Sequence, residues 1–309
     1  MSLRFSIAVA AALCVTLTNA PALAQPNPAV SLPADPNRLF ADSRLIVRDR
    51  ISVEVDGNGP DLVFIPGLAS SRDTWRATAG RLRGRYRLHL IQVAGFAGEP
   101  ARANAAGDVL IPTAEAIDAY IVDQKLAPAT VVGHSMGGTI ALYLAEHHPR
   151  DLKKVLIVDA VPFFAQVMMG PAATLEQVRP IAEHIRTGPP QSQGDTKKMI
   201  AGMVTGEADR ARVEGWGRAS DPSVIQRALA DDLVLDLRPG LAGVTTPITI
   251  LYPDYAPLGV PAGATDHTYG GYFAPMPGKT LKRVDQSLHF IMFDQPAAFA
   301  ADLDAFLAG

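Results

Sequence analysis

Val131-Val132-Gly133-His134-Ser135-Met136-Gly137-Gly138 is the stretch on which the reading of this 309-residue chain turns. A short apolar run, Ala129 to Val132, leads into it, and Gly138 to Glu146 leaves it with the composition of a helix. Gly-x-Ser-x-Gly set between a strand and a helix predicts a nucleophile elbow, a tight turn that holds its serine at strained backbone angles. Positions two before and two after that serine then have no room for bulky side chains. The following helix points its N-terminus at the site, which favours negative charge developing on a bound molecule. Ser135 is therefore the candidate nucleophile.

Outward from this point the chain is punctuated by similar runs. Leu62-Val63-Phe64-Ile65, Leu88 to Val93, Val155 to Val158 and Ile248 to Leu251 are short and nearly all apolar. Alternating with helical stretches, they predict a mostly parallel sheet covered by helices on both faces, an α/β sandwich. Ser43 to Val55 alternates in a strand-like way and ends at the turn signal Asp56-Gly57-Asn58-Gly59. Between Val161 and about Leu241 the strand rhythm stops. Leu175 to Arg186, Thr196 to Val204 and Asp221 to Ala230 read as helices there, broken at Pro189-Pro190 and at Gly215 or Gly217. The expected organisation is a core over residues 43–160 and 242–309, with 161–241 inserted as a helical lid. Gln295 to Leu307 closes the chain as an amphipathic helix. Met168, Met169, Met199, Met203 and Trp216 fall on the insertion. Ordinary packing is one role open to them, but unbranched Met also suits a pocket that adapts to varied apolar ligands.

The N-terminus has its own signature. Arg4, an apolar stretch from roughly Phe5 to Leu17 and the small-residue triplet Ala22-Leu23-Ala24 predict a secretory leader over residues 1–24. A membrane anchor, or lipidation of Cys14, is the alternative. The mature chain is then expected to start at Gln25, in the periplasm or outside the cell, with a proline-rich lead-in over residues 25–42. Cys14 is the single cysteine, so a processed chain has no disulfide, thiolate nucleophile or cysteine-ligated metal. A hydrophobic content of 48% against 19% charged residues describes a globular chain. A net charge of −3 offers no basic face for nucleic acid or an anionic membrane. The chain holds no His-Glu-x-x-His, EF-hand or dinucleotide fingerprint. Gly278-Lys279-Thr280 ends like a phosphate loop, but Phe273 stands where the earlier glycine is required. No metal or cofactor is expected.

A serine that attacks a carbonyl needs donors for the oxyanion and a base for its proton. One donor is expected from the backbone N–H of Met136. The other is expected from the Pro66-Gly67-Leu68 loop after Leu62 to Ile65, with Leu68 N–H favoured because Gly67 lets the backbone come close. Of the seven histidines, His134 lies in the elbow itself, His147 and His148 end a helix, and His89 sits inside a strand. His184 falls in the insertion and His267 in a loop. His289, in Ser287-Leu288-His289-Phe290-Ile291, follows the last strand (Thr280 to Val284) and precedes the last helix. It is the candidate base.

The elbow, the Pro-Gly-Leu loop, the insertion and the late Leu-His-Phe before Asp294-Gln295-Pro296 together resemble the α/β-hydrolase superfamily. Within it the chain is similar to lipase- and esterase-like members with a helical lid, over roughly Arg44 to Leu307. The resemblance implies a triad in chain order Ser, Asp or Glu, His, with the acid in the loop after the strand before last. Here the usual Gly-x-x-Asp after that strand reads Pro253-Asp254-Tyr255-Ala256, and its aspartate position falls near Ala256. Asp254 is the first candidate for the acid. Asp159 comes next, since some members place the acid at that strand end, although a capping or hinge role competes. Asp266 is third. The implied activity is cofactor-free hydrolysis of a small-to-medium apolar ester. An amidase, lactonase or C–C bond hydrolase on the same machinery is the alternative, as is a catalytically silent ligand-binding protein. Haloalkane dehalogenases resemble this fold but carry Asp where Ser135 stands.

Overall fold

The computed structural model describes residues 37–189 and 193–309, so the expected leader and most of the expected lead-in lie outside the described residues. The elements run β1 (Arg44–Val47), β2 (Ile51–Asp56), β3 (Asp61–Ile65), α1 (Arg76–Leu82), β4 (Arg87–Val93), α2 (Leu110–Asp123), β5 (Ala129–His134), α3 (Met136–His147) and β6 (Leu152–Val158). Then come α4 (Ala165–Met169), α5 (Leu175–Thr187), α6 (Gln193–Ala201), α7 (Glu207–Ala219) and α8 (Pro222–Val234). The chain ends with β7 (Ile248–Pro253), α9 (Ala264–Tyr272), β8 (Thr280–Val284), α10 (Ile291–Asp294) and α11 (Pro296–Ala308). The eight strands form one sheet in the order β1-β2-β4-β3-β5-β6-β7-β8. Among the described residues, only the β1–β2 and β2–β4 pairs are antiparallel; the β4–β3, β3–β5, β5–β6, β6–β7 and β7–β8 pairs are parallel.

The near-continuous apolar runs are explained by burial on both faces. Successive strand residues point to opposite sides of a sheet. Val131, Ile157 and Ile250 join one core cluster with Ile117 of α2 and Ile140 of α3. Their neighbours Val132, Leu156 and Leu251 join another with Leu82 of α1 and Phe299 and Leu303 of α11. A polar residue at any of these strand positions would face helix on either side. This is the expected sandwich.

Two readings of the sequence need correction. Ser43 to Val55 is not one strand but a hairpin, with Arg44 paired to Val55 and Val47 to Ser52. Gly215 and Gly217 do not end a helix but lie inside α7, where a Cβ at either would meet nothing within 4 Å. Helix α9 also went unread. Among the described residues, α4 to α8 occupy the sequence between β6 and β7. A separate apolar cluster, including Phe163, Val178, Ala182 and Leu233, holds α5 against α8, while Val224, Ile225 and Ala228 of α8 join the main core.

Register decides what the sheet can assemble. His134 pairs with Val158, Val158 with Leu251, and Pro253 with Val284. The C-terminal ends of β5, β6, β7 and β8 therefore align along one rim, which delivers Ser135, Asp159, Asp254 and the loop carrying His289 to the same place. Parallel sheets place ligand sites at that rim.

Candidate active site

Ser135 is the single residue between β5 and α3, at φ 55° and ψ −128°. A non-glycine residue held in such a region costs on the order of 1–3 kcal/mol and persists only when its surroundings enforce it. Here they do. The Ser135 N–H donates to Val158 O at 3.0 Å, and Ser135 O accepts from Thr139 N–H at 3.0 Å. A Cβ at Gly133 would lie 2.2 Å from Gly137 O, and one at Gly137 would lie 2.4 Å from Ile65 O. The small residues demanded by the sequence pattern are thus demanded by backbone contact. Ser135 remains partly exposed while its neighbours on both sides are buried.

His289 sits just before α10, partly exposed, and its partner is not the acid expected first. Its Nδ1–H donates to Asp159 Oδ2 at 2.6 Å. Asp159 directly follows β6, and its side chain is only 4% exposed. Tyr255 O–H donates to the same oxygen at 2.9 Å, and Tyr269 O–H donates to Oδ1. Burial alone would raise the Asp159 carboxyl. The neighbouring His289 and the three hydrogen bonds outweigh it and hold the group below the ordinary carboxylate range.

Asp254 is correspondingly displaced from the role read for it. Its carboxylate accepts backbone N–H groups from Ala256 at 3.0 Å, Gln286 at 2.9 Å and Ser287 at 3.3 Å. Two residues short of the usual position, it reaches the loop before His289 rather than the imidazole, and ties that loop to the end of β7. Asp266 lies further out: it accepts from Tyr252 O–H at 2.9 Å and pairs with Arg283.

The two backbone segments from which donors were read adjoin Ser135. Met136 is the first residue of α3, and the opening N–H groups of a helix have no partner within it. The Gly67 backbone packs against Ser135, since a Cβ there would lie 2.9 Å from Ser135 Cβ. Ala69, at φ 54°, turns the following chain, so that Ser70 N–H donates to Gly67 O and Ser70 Oγ–H to Leu68 O. The Gly67 and Leu68 carbonyls thus point into their own turn.

The five apolar residues proposed for a pocket separate. Met199 and Met203 line a small cleft with Leu68, Ser70, Val213 and Phe290. Trp216 packs at 6.2 Å on Phe293, which stacks at 5.3 Å on Phe290. Met168 packs into the α5–α8 cluster, which Leu68 also touches, while Met169 is exposed. The cleft has a volume of about 20 Å³, room for roughly one water.

His134 is buried, with its ring 4.6 Å from those of both His289 and Phe290. Its Nε2–H donates to the His289 carbonyl at 3.1 Å. Burial, and then the proximity of His289, pushes it down to about 3, so it stays neutral. It supports the histidine loop. Among the described residues, Asp118, His148 and Asp151 bring ligand-type atoms within 4.8 Å of one another. They lie beyond the far end of α3 from Ser135, where His148 is already paired with Glu115 and Asp118. Tyr255, Tyr269, Phe290 and Asp294 were not read from sequence as site residues. The only signal for Tyr255 was that it stands in the tetrapeptide that departs from the expected pattern.

Comparison with known proteins agrees with this architecture. A hydrolase from Pseudomonas aeruginosa PA01 superposes with a TM-score of 0.68 over 87% of this chain and 99% of its own, at 17% identity. The enol-lactonase from Burkholderia xenovorans LB400 does so at 0.67, over 84% and 96%, also at 17% identity. By sequence, the pimeloyl-[acyl-carrier protein] methyl ester esterase of Nitrosomonas europaea is 26% identical over 224 residues, 70% of this chain and 84% of that protein. The enzyme of the same name from Aeromonas hydrophila is 35% identical over 117 residues, 37% of this chain and 43% of that protein. The family profile described as alpha/beta hydrolase family matches residues 62–302, from β3 into α11. With eight strands in this order, an elbow at Ser135 and that match over most of its length, the chain belongs to the alpha/beta hydrolase family.

Proposed function

We propose that this protein is a serine hydrolase that cleaves a small-to-medium apolar carboxylic ester, with Ser135 as nucleophile, His289 as base and Asp159 as the orienting acid. The observation that carries this reading is the 2.6 Å contact between His289 Nδ1 and the buried Asp159 carboxylate, on the rim where the strained elbow presents Ser135. With Nδ1–H committed to Asp159, the other ring nitrogen, Nε2, carries the lone pair and serves as the acceptor. Ser135 Oγ attacks the ester carbonyl carbon as His289 takes its proton. The N–H groups of Met136 and Leu68 hold the oxyanion. Collapse expels the alcohol, which leaves with the proton from His289. Water, deprotonated by the same imidazole, then releases the acid and restores Ser135.

The apolar cleft beside Leu68 supports an apolar acyl group, and the two relatives named above are methyl ester esterases. The test is covalent labelling by a fluorophosphonate probe alongside turnover of p-nitrophenyl esters. The wild-type chain is expected to label stoichiometrically and to turn over. Ser135→Ala is expected to abolish both while leaving Tm nearly unchanged. A wild-type chain inert to the probe and to esters, amides and lactones would sink the reading and leave a ligand-binding role.

A further inference from the structure

Asp159 is an acid supplied by one strand and held by another's connection. The segment between β7 and β8 provides both tyrosines that reach it, Tyr255 two residues after β7 and Tyr269 on α9. Neither position is left loose. Tyr255 sits at φ 53° and ψ 21°, and its N–H donates to Ser287 O at 3.2 Å. Asp254 braces the same corner by accepting from Ala256, Gln286 and Ser287. The ring of Tyr269 stacks on that of Tyr252 at 4.5 Å and 15°, and Tyr252 is itself fixed by its bond to Asp266. Burial and the nearby Asp159 carboxylate push both Tyr255 and Tyr269 well above the ordinary phenol range, so both stay donors.

A buried carboxylate beside an imidazole can fail in two ways. It can rotate so that its lone pair leaves Nδ1, or it can take the extra proton of the pair and become neutral. Donors on both oxygens prevent the first and disfavour the second. An arginine would do the same, but its charge would oppose the imidazolium that forms during attack. Hydroxyls supply the hydrogen bonds without that charge. Where the fold's usual acid would follow β7, this chain has Tyr255 reaching back to an acid at the end of β6.

Resting on the hydrolase reading above, we propose that Tyr255 and Tyr269 are positioning residues of the site, a pair of neutral donors that fix the Asp159 carboxylate and keep it ionised opposite His289. Among the described residues, the other titratable groups that face this pair are His134 on β5, held neutral, and Tyr272 on α9.

The experiment compares wild type, Tyr255→Phe, Tyr269→Phe and the double variant on one p-nitrophenyl ester across pH. Each single variant is expected to lose roughly tenfold in kcat, the effect of one hydrogen bond to a charged group. The double variant is expected to lose more, and KM to stay within about twofold. The acid limb of kcat/KM is expected to move to higher pH. Without the hydroxyls the Asp159–His289 pair holds its extra proton more tightly, whichever member carries it, so neutral imidazole appears later. A purely structural role would lower Tm and leave that limb in place. The two tyrosines reach different oxygens from different elements, so if one variant fails to fold the other still decides. Variants that keep wild-type kcat within twofold and an unmoved acid limb would overturn the proposal, even with Ser135 labelled and Asp159→Asn inactive. A wild-type chain that neither labels nor turns over would instead overturn the hydrolase reading beneath it.

Discussion

Asp159 and Asp254 end neighbouring strands on the same rim, yet one touches the imidazole and the other only backbone. The difference sets up a clean pair of substitutions. Asp159→Asn keeps the size of the side chain but removes the charge that would stabilise the imidazolium and replaces one of two acceptor oxygens by an NH2 donor, so the tautomer is no longer fixed. It is expected to lower kcat by about 10⁴, with KM within a few-fold and the fold intact. Asp254→Asn loses charge-assisted bonds to three N–H groups, so it is expected to cost about 1–3 kcal/mol of stability and much less in kcat. Asp266→Asn breaks an exposed ion pair and is expected to matter little to either. Steady-state kinetics and thermal melts on the three variants check this; a crippled Asp254→Asn beside an active Asp159→Asn would reverse the assignment. The sequence held both aspartates but not the choice between them. The places of Ser135 and His289 on the rim were legible because each is announced locally, by a glycine-flanked turn and by its position between the last strand and the last helix. The proposed acid is the one whose strand end the imidazole faces, and that is a matter of sheet register.

At the scale of elements, strands were more legible than helices for a physical reason. A strand buried on both faces must be nearly all apolar, and β3, β4, β5, β6 and β7 stand out accordingly. Helix α7 is partly exposed along most of its length and carries two glycines that its packing neither requires nor forbids, so the pattern pointed to a break. The connection between α6 and α7 bears on function. Phe290 N–H donates to Met203 O at 3.0 Å. Asp294 Oδ1 accepts from the N–H and hydroxyl of Thr205 at 2.8 and 2.7 Å, and its Oδ2 accepts from Leu288 N–H at 2.8 Å. The segment that closes the cleft is thereby bound to the loop that carries His289. With room for about one water, an acyl chain enters only where a side chain yields. Met203→Ala is therefore expected to raise kcat/KM for butanoate and hexanoate relative to acetate. Each methylene newly buried contributes about 0.8 kcal/mol, close to fourfold. Met169→Ala, on the exposed side, is expected to leave the profile unchanged. A p-nitrophenyl ester series on the two variants reads this directly, and an unaltered ratio in Met203→Ala would take Met203 off the acyl path.

Over the whole molecule, buried ionisable groups outside the site shape stability against pH. Asp232, on α8, is buried against the core and is pushed up to about 7, chiefly by burial; a hydrogen bond to Thr139 of α3 lowers it and the neighbouring Asp231 raises it. Glu146, near the end of α3, is likewise pushed up to about 7, by burial and then by Asp236. In both, the folded state holds a proton that the unfolded chain releases near pH 4. Their contribution is therefore fully present below about pH 4 and is lost as pH rises toward 7. His134 acts in the opposite sense: its folded value of about 3 lies below its unfolded one, so stability is lost as pH falls from about 6.5 toward 3. Over most of the acid range the two trends oppose each other, and the wild-type curve alone cannot separate them. Asp232→Asn can, because it leaves the histidines untouched and replaces a carboxyl that is neutral in the fold by a neutral amide. Any fixed cost of packing the amide is the same at every pH. The difference in unfolding free energy between variant and wild type is therefore expected to be flat below about pH 4. It should then move in favour of the variant between about pH 4 and 7, by at most about 4 kcal/mol, and level off above that. Denaturant melts from pH 3.5 to 8.5 measure the difference curve. One that runs flat across the whole range would mean that Asp232 ionises in the folded protein as it does in the unfolded chain.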